Sequence, residues 1–341
     1  MDIDQKIELI KRNTEEIVTE EELKELLKTK KEPSVYCGWS ITGKPHVGYF
    51  LPVLNLADFL KAGFKVKLLL ADLHGALDKT PWDLLEKRYD YYLNTIPLMF
   101  KCINADTTNL KIVKGSDFQL SSDYLFDLLK LSTFSTIHDA KKASSDVVKQ
   151  EENPKLAGII YPLMQALDEE YLEVDIQYGG VDQRKIMMFA REHLPKINYP
   201  KRIEIMGPLI PGLAEGGKMS ASIPHSKIDL LDEPETIRKK LSQAFCPEGE
   251  TEGNGVLALL KFVIFVVKQN EGGKFTIQKP EKFGGEKLEY KTYEELEKDY
   301  IDKKIHPLDL KNALAEELIK LLEPIRSAMK GKEELVKEAY P

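Results

Sequence analysis

Cysteine is scarce in this chain: three among 341 residues, Cys37, Cys102 and Cys246, far apart and odd in number. A disulfide-built fold is excluded, and a reducing compartment fits. A long hydrophobic run is missing too. The most apolar stretch, residues 256–267, is interrupted by Lys261 and falls short of the about 20 residues a bilayer-spanning helix needs. It reads as a buried helix, and no membrane partner is expected. Positive charge is not in excess: 49 Lys plus Arg face 56 Asp plus Glu, for a net charge of -7. A sequence-blind nucleic-acid coat protein would be basic, so that class is disfavoured and DNA is not expected as a partner. Local basic patches remain allowed. Met1-Asp2-Ile3-Asp4 shows no basic start leading into an apolar run, so no secretory signal is read and a cytoplasmic location is the default expectation. No His/Cys/Asp cluster has metal-ligand spacing, and no structural metal is expected.

What is present is ordinary globular composition, 42% hydrophobic and 31% charged, at a length sufficient for roughly two domains. Residues 1–32 read as charged helix, with a capping box at Thr19-Glu20-Glu21-Glu22. Beyond Pro33, short apolar runs predict buried strands at 35–38, 66–71, 110–113, 172–176 and 203–206. Helical patterns lie between them, at 49–62 and 82–102. That alternation predicts an α/β fold with a parallel sheet covered on both faces. A helical insertion at about 119–165 divides the sheet into halves. From about Lys227 strand signals fade, and helices are expected at 234–245, 256–268, 293–303 and 307–329. The division expected is 1–32, a helical segment; 33–226, the sheet domain; and 227–341, a mainly α-helical domain.

The segment Tyr36-Cys37-Gly38-Trp39-Ser40-Ile41-Thr42-Gly43-Lys44-Pro45-His46-Val47-Gly48-Tyr49 joins a strand to a helix, where a parallel sheet opens its ligand crevice and a helix N-terminus offers backbone N–H groups to an anion. Gly43 and Gly48 leave room for a nucleotide, and Thr42 and His46 are candidate phosphate ligands. A Gly/Pro turn with a structural histidine is the plainer alternative. Neither Gly-x-Gly-x-x-Gly nor a phosphate loop ending Gly-Lys-Ser/Thr is present, so positive charge must come from elsewhere. Lys218-Met219-Ser220-Ala221-Ser222, after the last strand and behind Gly212, Gly216 and Gly217, offers a lysine on a loop able to close over phosphates.

These two segments resemble the HIGH and KMSKS motifs of the class I aminoacyl-tRNA synthetases. The resemblance runs over nearly the whole chain and is closest to the tyrosyl-tRNA synthetases of archaeal and eukaryotic cytoplasmic type. Residues 161–168 (Tyr-Pro-Leu-Met-Gln-Ala-Leu-Asp), 179–185 (Gly-Gly-Val-Asp-Gln-Arg-Lys) and 306–312 (His-Pro-Leu-Asp-Leu-Lys-Asn) carry that assignment. Tyr49 replaces the second histidine of HIGH and Ala221 the second lysine of KMSKS, which concentrates phosphate binding on Thr42, His46 and Lys218, with Ser220 and Ser222 beside it.

The resemblance implies a Rossmann-like catalytic domain, a C-terminal anticodon-binding domain and a homodimer joined through the inserted helices. It implies that L-tyrosine and ATP give tyrosyl-adenylate and pyrophosphate, followed by transfer to the terminal ribose of tRNA(Tyr). Tyr36, Tyr161, Gln165, Asp168 and Gln183 would line the amino-acid site. The physics agrees: a phenol hydroxyl entering a dry pocket must find partners, and Tyr36 and Asp168 offer a donor and an acceptor. Tyr161, Gln165 and Asp168 stand at i, i+4 and i+7, so one helix face presents all three. Read without the family, the tyrosines are equally core residues and Asp168 a solvated helix residue. Gly38, Gly48, Gly180 and Asp182 join Thr42, His46 and Lys218 at the ATP site, where a tight Gly-Gly turn with a capping aspartate is the plainer alternative. Mg2+ would ride on the phosphates. For tRNA, the resemblance points to Lys142, Arg184 and Lys185 at the acceptor end, where Lys141 and Lys149 also offer charge. It points to Phe283, His306 and Asp309 at the anticodon. The charged groups otherwise read as a solvated face and Phe283 as a plug under a loop. A tryptophanyl relative, another nucleotidyltransferase of the same motif superfamily and a catalytically silent tRNA-binding homologue are the rival readings.

Overall fold

The structure, a computed structural model, describes residues 1–147, 155–219, 226–281 and 284–341. Six strands form one sheet: β1 (Glu16–Val18), β2 (Ser34–Ser40), β3 (Lys65–Ala71), β4 (Leu110–Lys114), β5 (Ile176–Gly180) and β6 (Ile203–Gly207). Their order is β1-β6-β5-β2-β3-β4. All neighbours run parallel except β1, which pairs antiparallel with β6. In β3 the run Leu68–Ala71 is buried throughout, as a strand covered on both faces requires. The chain leaves β2 toward β3 on one side and returns through β5 on the other, so the sheet's switch point lies between β2 and β5. Ligand crevices open there.

Helices cover both faces: α1 (Ile3–Lys11), α2 (Glu20–Thr29), α3 (Phe50–Lys61), α4 (Asp72–Leu77) and α5 (Leu85–Cys102). The insertion between β4 and β5 holds α6 (Ser116–Gln119), α7 (Ser122–Ser132), α8 (Ile137–Ser144) and α9 (Leu156–Tyr171); α10 (Arg184–His193) then links β5 to β6. The predicted capping box at Thr19 forms: its hydroxyl accepts from the Glu22 N–H at 3.2 Å, satisfying an otherwise orphan donor. Phe59 and Phe64 meet edge-on at 5.2 Å under the sheet, a favoured aromatic geometry.

Two expectations need correction. Residues 1–32 are not all helix, because β1 lies between α1 and α2. The strand expected at 172–176 begins only at Ile176. Leu172 instead closes α9, its N–H bonded to the Asp168 carbonyl at 2.9 Å. Leu172 and Val174 are apolar because they pack on Tyr36 and Leu69, which imitates a strand pattern.

The C-terminal part is helical as expected: α11 (Pro234–Ser242), α12 (Gly255–Leu259), α13 (Phe265–Glu271), α14 (Tyr293–Ile301), α15 (Pro307–Met329) and α16 (Glu333–Ala339). An unanticipated antiparallel ribbon, β7 (Phe275–Gln278) with β8 (Lys287–Tyr290), joins them. The apolar stretch at 256–267 is a buried helix with a π-helical turn at Leu260–Ile264. One apolar core runs from Val35 and Leu54 beside the sheet to Phe265 and Leu318 in these helices. Among the described residues, no helix is long and apolar enough to cross a membrane.

Candidate active site

A cleft of about 730 Å³ opens at the C-terminal ends of β2 and β5. Tyr36, Tyr161, Gln165, Asp168 and Gln183 line it, as do Gly38, Thr42, His46, Gly48, Gly180, Asp182 and Lys218.

At its floor, Asp168 projects from α9 and is 1% exposed. Its Oδ1 accepts from Gln119 Nε2 at 2.8 Å and from the Tyr124 hydroxyl at 2.9 Å. Burial pushes its carboxyl up to about 8, partly offset by those two donors, while Asp72 adds to the rise. Among the described residues Oδ2 has no hydrogen-bond donor; His74 Nε2 stands 3.8 Å from it. The Tyr36 hydroxyl, buried on β2, donates to the Gln165 carbonyl at a long 3.3 Å, and burial holds its phenol well above the usual range. One turn up α9, Tyr161 shares a 3.1 Å hydrogen bond with Ser40. Gln165 Nε2 donates to Gln183 Oε1 at 3.2 Å, and Gln183 Nε2 to Asp182 Oδ1 at 3.4 Å.

The other half is built around the turn after β2. His46 is 6% exposed and caps a single helical turn, Val47–Tyr49, its Nδ1 accepting from the Gly48 N–H at 3.2 Å. Burial, then the nearby Lys227 ammonium, lowers its pKa to about 3. The ring is therefore neutral, with Nδ1 occupied as acceptor and its proton on Nε2. A side chain at Gly48 would put a Cβ 2.9 Å from that ring and 3.3 Å from Met219 sulfur, so only glycine fits. At Gly180 a Cβ would lie 2.7 Å from Asp182 Oδ1, which keeps the backbone open beside that carboxylate. The Gly43 carbonyl accepts from the hydroxyls of Tyr92 at 2.6 Å and Tyr340 at 2.8 Å. The Arg88 guanidinium lies 4.8 Å over the Tyr340 ring and donates to the Thr42 carbonyl.

A carboxylate and a phenol at the floor, neutral amides above, and histidine and lysine at the mouth suit a small phenolic amino acid beside a nucleotide. The family of tRNA synthetases class I (W and Y) matches residues 28–323. The chain belongs to the class I tRNA synthetases. It is 50% identical over 99% of its length to the cytoplasmic tyrosine–tRNA ligase of Danio rerio, and spans 63% of that protein. With the tyrosine–tRNA ligase of Haloarcula marismortui it shares 43% identity over 100% of the chain and 98% of that protein. The crystal structure of the Archaeoglobus fulgidus tyrosyl-tRNA synthetase complexed with L-tyrosine superposes with a TM-score of 0.87, at 40% identity, covering 96% of this chain and 100% of that one. The chain spans less than two thirds of the vertebrate relatives it matches.

For a class I synthetase, the remaining expected residues lie outside the cleft lining. Arg184 grips Glu16 through bonds of 2.7 and 2.8 Å, and Lys185 holds Ser145 and Asp146, each at 2.8 Å. Lys142 is exposed on α8. His306 is exposed and caps α15, accepting from the Leu308 N–H at 3.2 Å, with Asp309 half-buried in the first turn. Ser220, Ser222, Lys149 and Phe283 lie outside the described residues. Sequence reasoning missed His74, Gln119, Tyr124 and Arg88. His74 follows the end of β3, a position where crevice residues are expected, so that signal was readable. Gln119, Tyr124 and Arg88 sit on helices whose pattern does not separate them from their neighbours.

Proposed function

We propose that this chain is a cytoplasmic tyrosine–tRNA ligase. The observation that carries the reading is that a buried carboxylate, Asp168, and a buried phenol, Tyr36, line the same cleft. A phenol needs an acceptor for its proton and a donor for its oxygen. Phenylalanine would leave the carboxylate unmatched in a dry site and the Tyr36 hydroxyl with only its long bond to the Gln165 carbonyl, and an indole offers one donor and no acceptor. Tyr161, Gln165 and Gln183 present oxygens to the substrate ammonium.

The substrate carboxylate then faces the mouth of the cleft. One of its oxygens attacks the α-phosphorus of ATP, the bond to the bridging oxygen of the β-phosphate breaks, and pyrophosphate leaves. No protein nucleophile is required; alignment and stabilisation of growing charge supply the rate. His46 offers Nε2–H to phosphate oxygen, Lys218 offers an ammonium, and Thr42 adds a hydroxyl. Gly38, Gly48 and Gly180 admit the nucleoside, and Asp182 accepts from its ribose. In the second step the terminal ribose of tRNA(Tyr) takes the acyl group, with Lys142, Arg184 and Lys185 toward the acceptor end and Phe283, His306 and Asp309 toward the anticodon. Arg184 and Lys185 exchange their present acidic partners for tRNA phosphates.

Among the described residues no three His, Cys, Asp or Glu side chains converge to hold a metal ion such as Mg2+. We assign that ion to the ATP phosphates. The helical insertion exposes Leu120, Phe126, Leu129, Phe134, Ile137 and Leu156, large apolar side chains of the kind a second copy covers, and we propose a homodimer through the insertion.

The deciding experiment is amino-acid-dependent exchange of labelled pyrophosphate into ATP, run separately with tyrosine, tryptophan and phenylalanine. Exchange with tyrosine alone is expected. Exchange with tryptophan would overturn the roles of Tyr36 and Asp168, and none with any of the three would point to a silent tRNA-binding homologue.

A further inference from the structure

The floor of the cleft contains a hydrogen-bond relay that no motif marks. Gln119, at the end of α6, is fully buried. Its Nε2 donates to Asp168 Oδ1 at 2.8 Å and lies 3.4 Å from His74 Nδ1. With Asp168 ionised, as acceptance of the phenol proton requires, turning the amide over would set oxygen against carboxylate oxygen at that 2.8 Å distance, so in that state the nitrogen faces the carboxylate. An amide nitrogen has two N–H donors and accepts nothing. With one hydrogen on Asp168, the other faces His74 Nδ1, which is thereby the acceptor.

The single proton of the neutral imidazole must then sit on Nε2. That nitrogen is buried, lacks a hydrogen-bond partner among the described residues, and stands 3.8 Å from Asp168 Oδ2. The ring is buried and packs edge-on against Tyr161, 4.7 Å away at 88°. A gap of 3.8 Å is too long for a direct bond. It accommodates a hydroxyl oxygen about 2.8 Å from each side.

We propose that His74 is a specificity-determining residue of the phenol subsite and Gln119 its positioning residue. Gln119 fixes the Nε2–H tautomer, and His74 presents that donor beside the acceptor Oδ2 of Asp168. The substrate hydroxyl closes the relay by giving its proton to Oδ2 and accepting from Nε2–H. This inference rests on the tyrosine reading above and deepens it. A phenol oxygen carries two lone pairs, so it can accept from the Tyr36 hydroxyl and from Nε2–H of His74 together.

The test uses the full chain and pyrophosphate exchange with tyrosine and phenylalanine. His74→Leu should raise the tyrosine KM about tenfold or more, the loss expected for a buried hydrogen bond near a charged group. It should narrow tyrosine-over-phenylalanine discrimination by the same factor, with kcat and the ATP KM within about twofold. Gln119→Glu, which reverses the donor, should fail like His74→Leu. His74→Gln, whose amide nitrogen reaches the Nε2 position, should recover most of the loss, whereas His74→Asn reaches only Nδ1 and should not. If His74→Leu does not fold, the Gln and Asn variants decide. An unchanged tyrosine KM in His74→Leu, equal failure of the Gln and Asn variants, or parallel losses with both amino acids would overturn the assignment. Absence of tyrosine-dependent exchange in the unsubstituted chain would instead overturn the tyrosine reading.

Discussion

Lys218 Nζ lies 2.6 Å from Asp182 Oδ2, so the ammonium assigned to the phosphates rests on the carboxylate assigned to the ribose. The lysine is half exposed, and such a pair contributes little net stability. Its loop carries Gly216 and Gly217 at positive φ, where glycine turns without strain. On the proposed roles, a nucleotide that engaged Asp182 through its ribose would release Lys218 at little cost, just where charge develops. Lys218→Ala should lower the exchange rate about a hundredfold while the tyrosine KM stays within about twofold. An equal loss of tyrosine affinity would remove Lys218 from the phosphate role.

The proposed recognition of a phenol proton needs Asp168 ionised. Burial pushes its carboxyl up to about 8, so the carboxylate is a minor form at mildly acidic pH and dominates only above that value. The groups facing it are His74 and Asp72 from α4, Tyr124 from α7, Tyr36 from β2, and Glu169 and Tyr161 on its own helix. The kcat/KM for tyrosine should therefore climb with pH and level off above about 8, because that ratio reports the free enzyme. Tyr124→Phe removes a donor to the carboxylate and should move the rise to higher pH. A profile flat from about pH 6.5 to about 9 would show that Asp168 is ionised throughout.

Glu169 on α9 and Glu204 on β6 are fully buried, and none of their four carboxylate oxygens has a hydrogen-bond partner among the described residues. Burial raises both pKa values well above the usual carboxylate range; Asp168 and Glu170 add to the rise at Glu169, and Glu169 to that at Glu204, against the opposing pull of Arg191 and Arg202. The folded protein therefore holds protons that the unfolded chain has released. Their stabilising contribution is complete below the unfolded pKa of about 4.3 and is lost as pH rises toward the folded values. Glu204→Gln should match the parent in Tm near pH 4 and exceed it increasingly toward pH 9. A constant Tm difference across that range, read by circular dichroism, would mean that the pair is ionised in the fold.

Phe126 and Leu129 on α7 are 68% and 69% exposed, and burying each such side chain contributes about 1.5–3 kcal/mol. Leu129→Glu should convert a dimer to a monomer in sedimentation velocity without lowering Tm by more than a few degrees. A parent chain that sediments as a monomer at micromolar concentration would refute the dimer.

Much of the site was legible because its chemistry is local in sequence. The i, i+4, i+7 face of Tyr161, Gln165 and Asp168 survives any error in helix ends, and the turn holding Thr42 and His46 is bounded by strand and helix signals on either side. Elements held by tertiary pairing were less visible. β1 has three residues and exists because the edge of β6 accepts it. Leu172 and Val174 read as strand because burial, not backbone pairing, set their composition. The relay to Asp168 joins α4, α6 and α7, so its register depends on how the insertion folds over β3, which spacing along the chain does not encode.

The doubly bonded Gly43 carbonyl has a thermodynamic consequence. Two tyrosine hydroxyls, one from α5 and one from the residue after α16, fix that peptide plane, and Arg88 fixes the carbonyl before it. The turn has therefore surrendered its conformational entropy during folding, and little ordering remains to be opposed when a triphosphate settles against it.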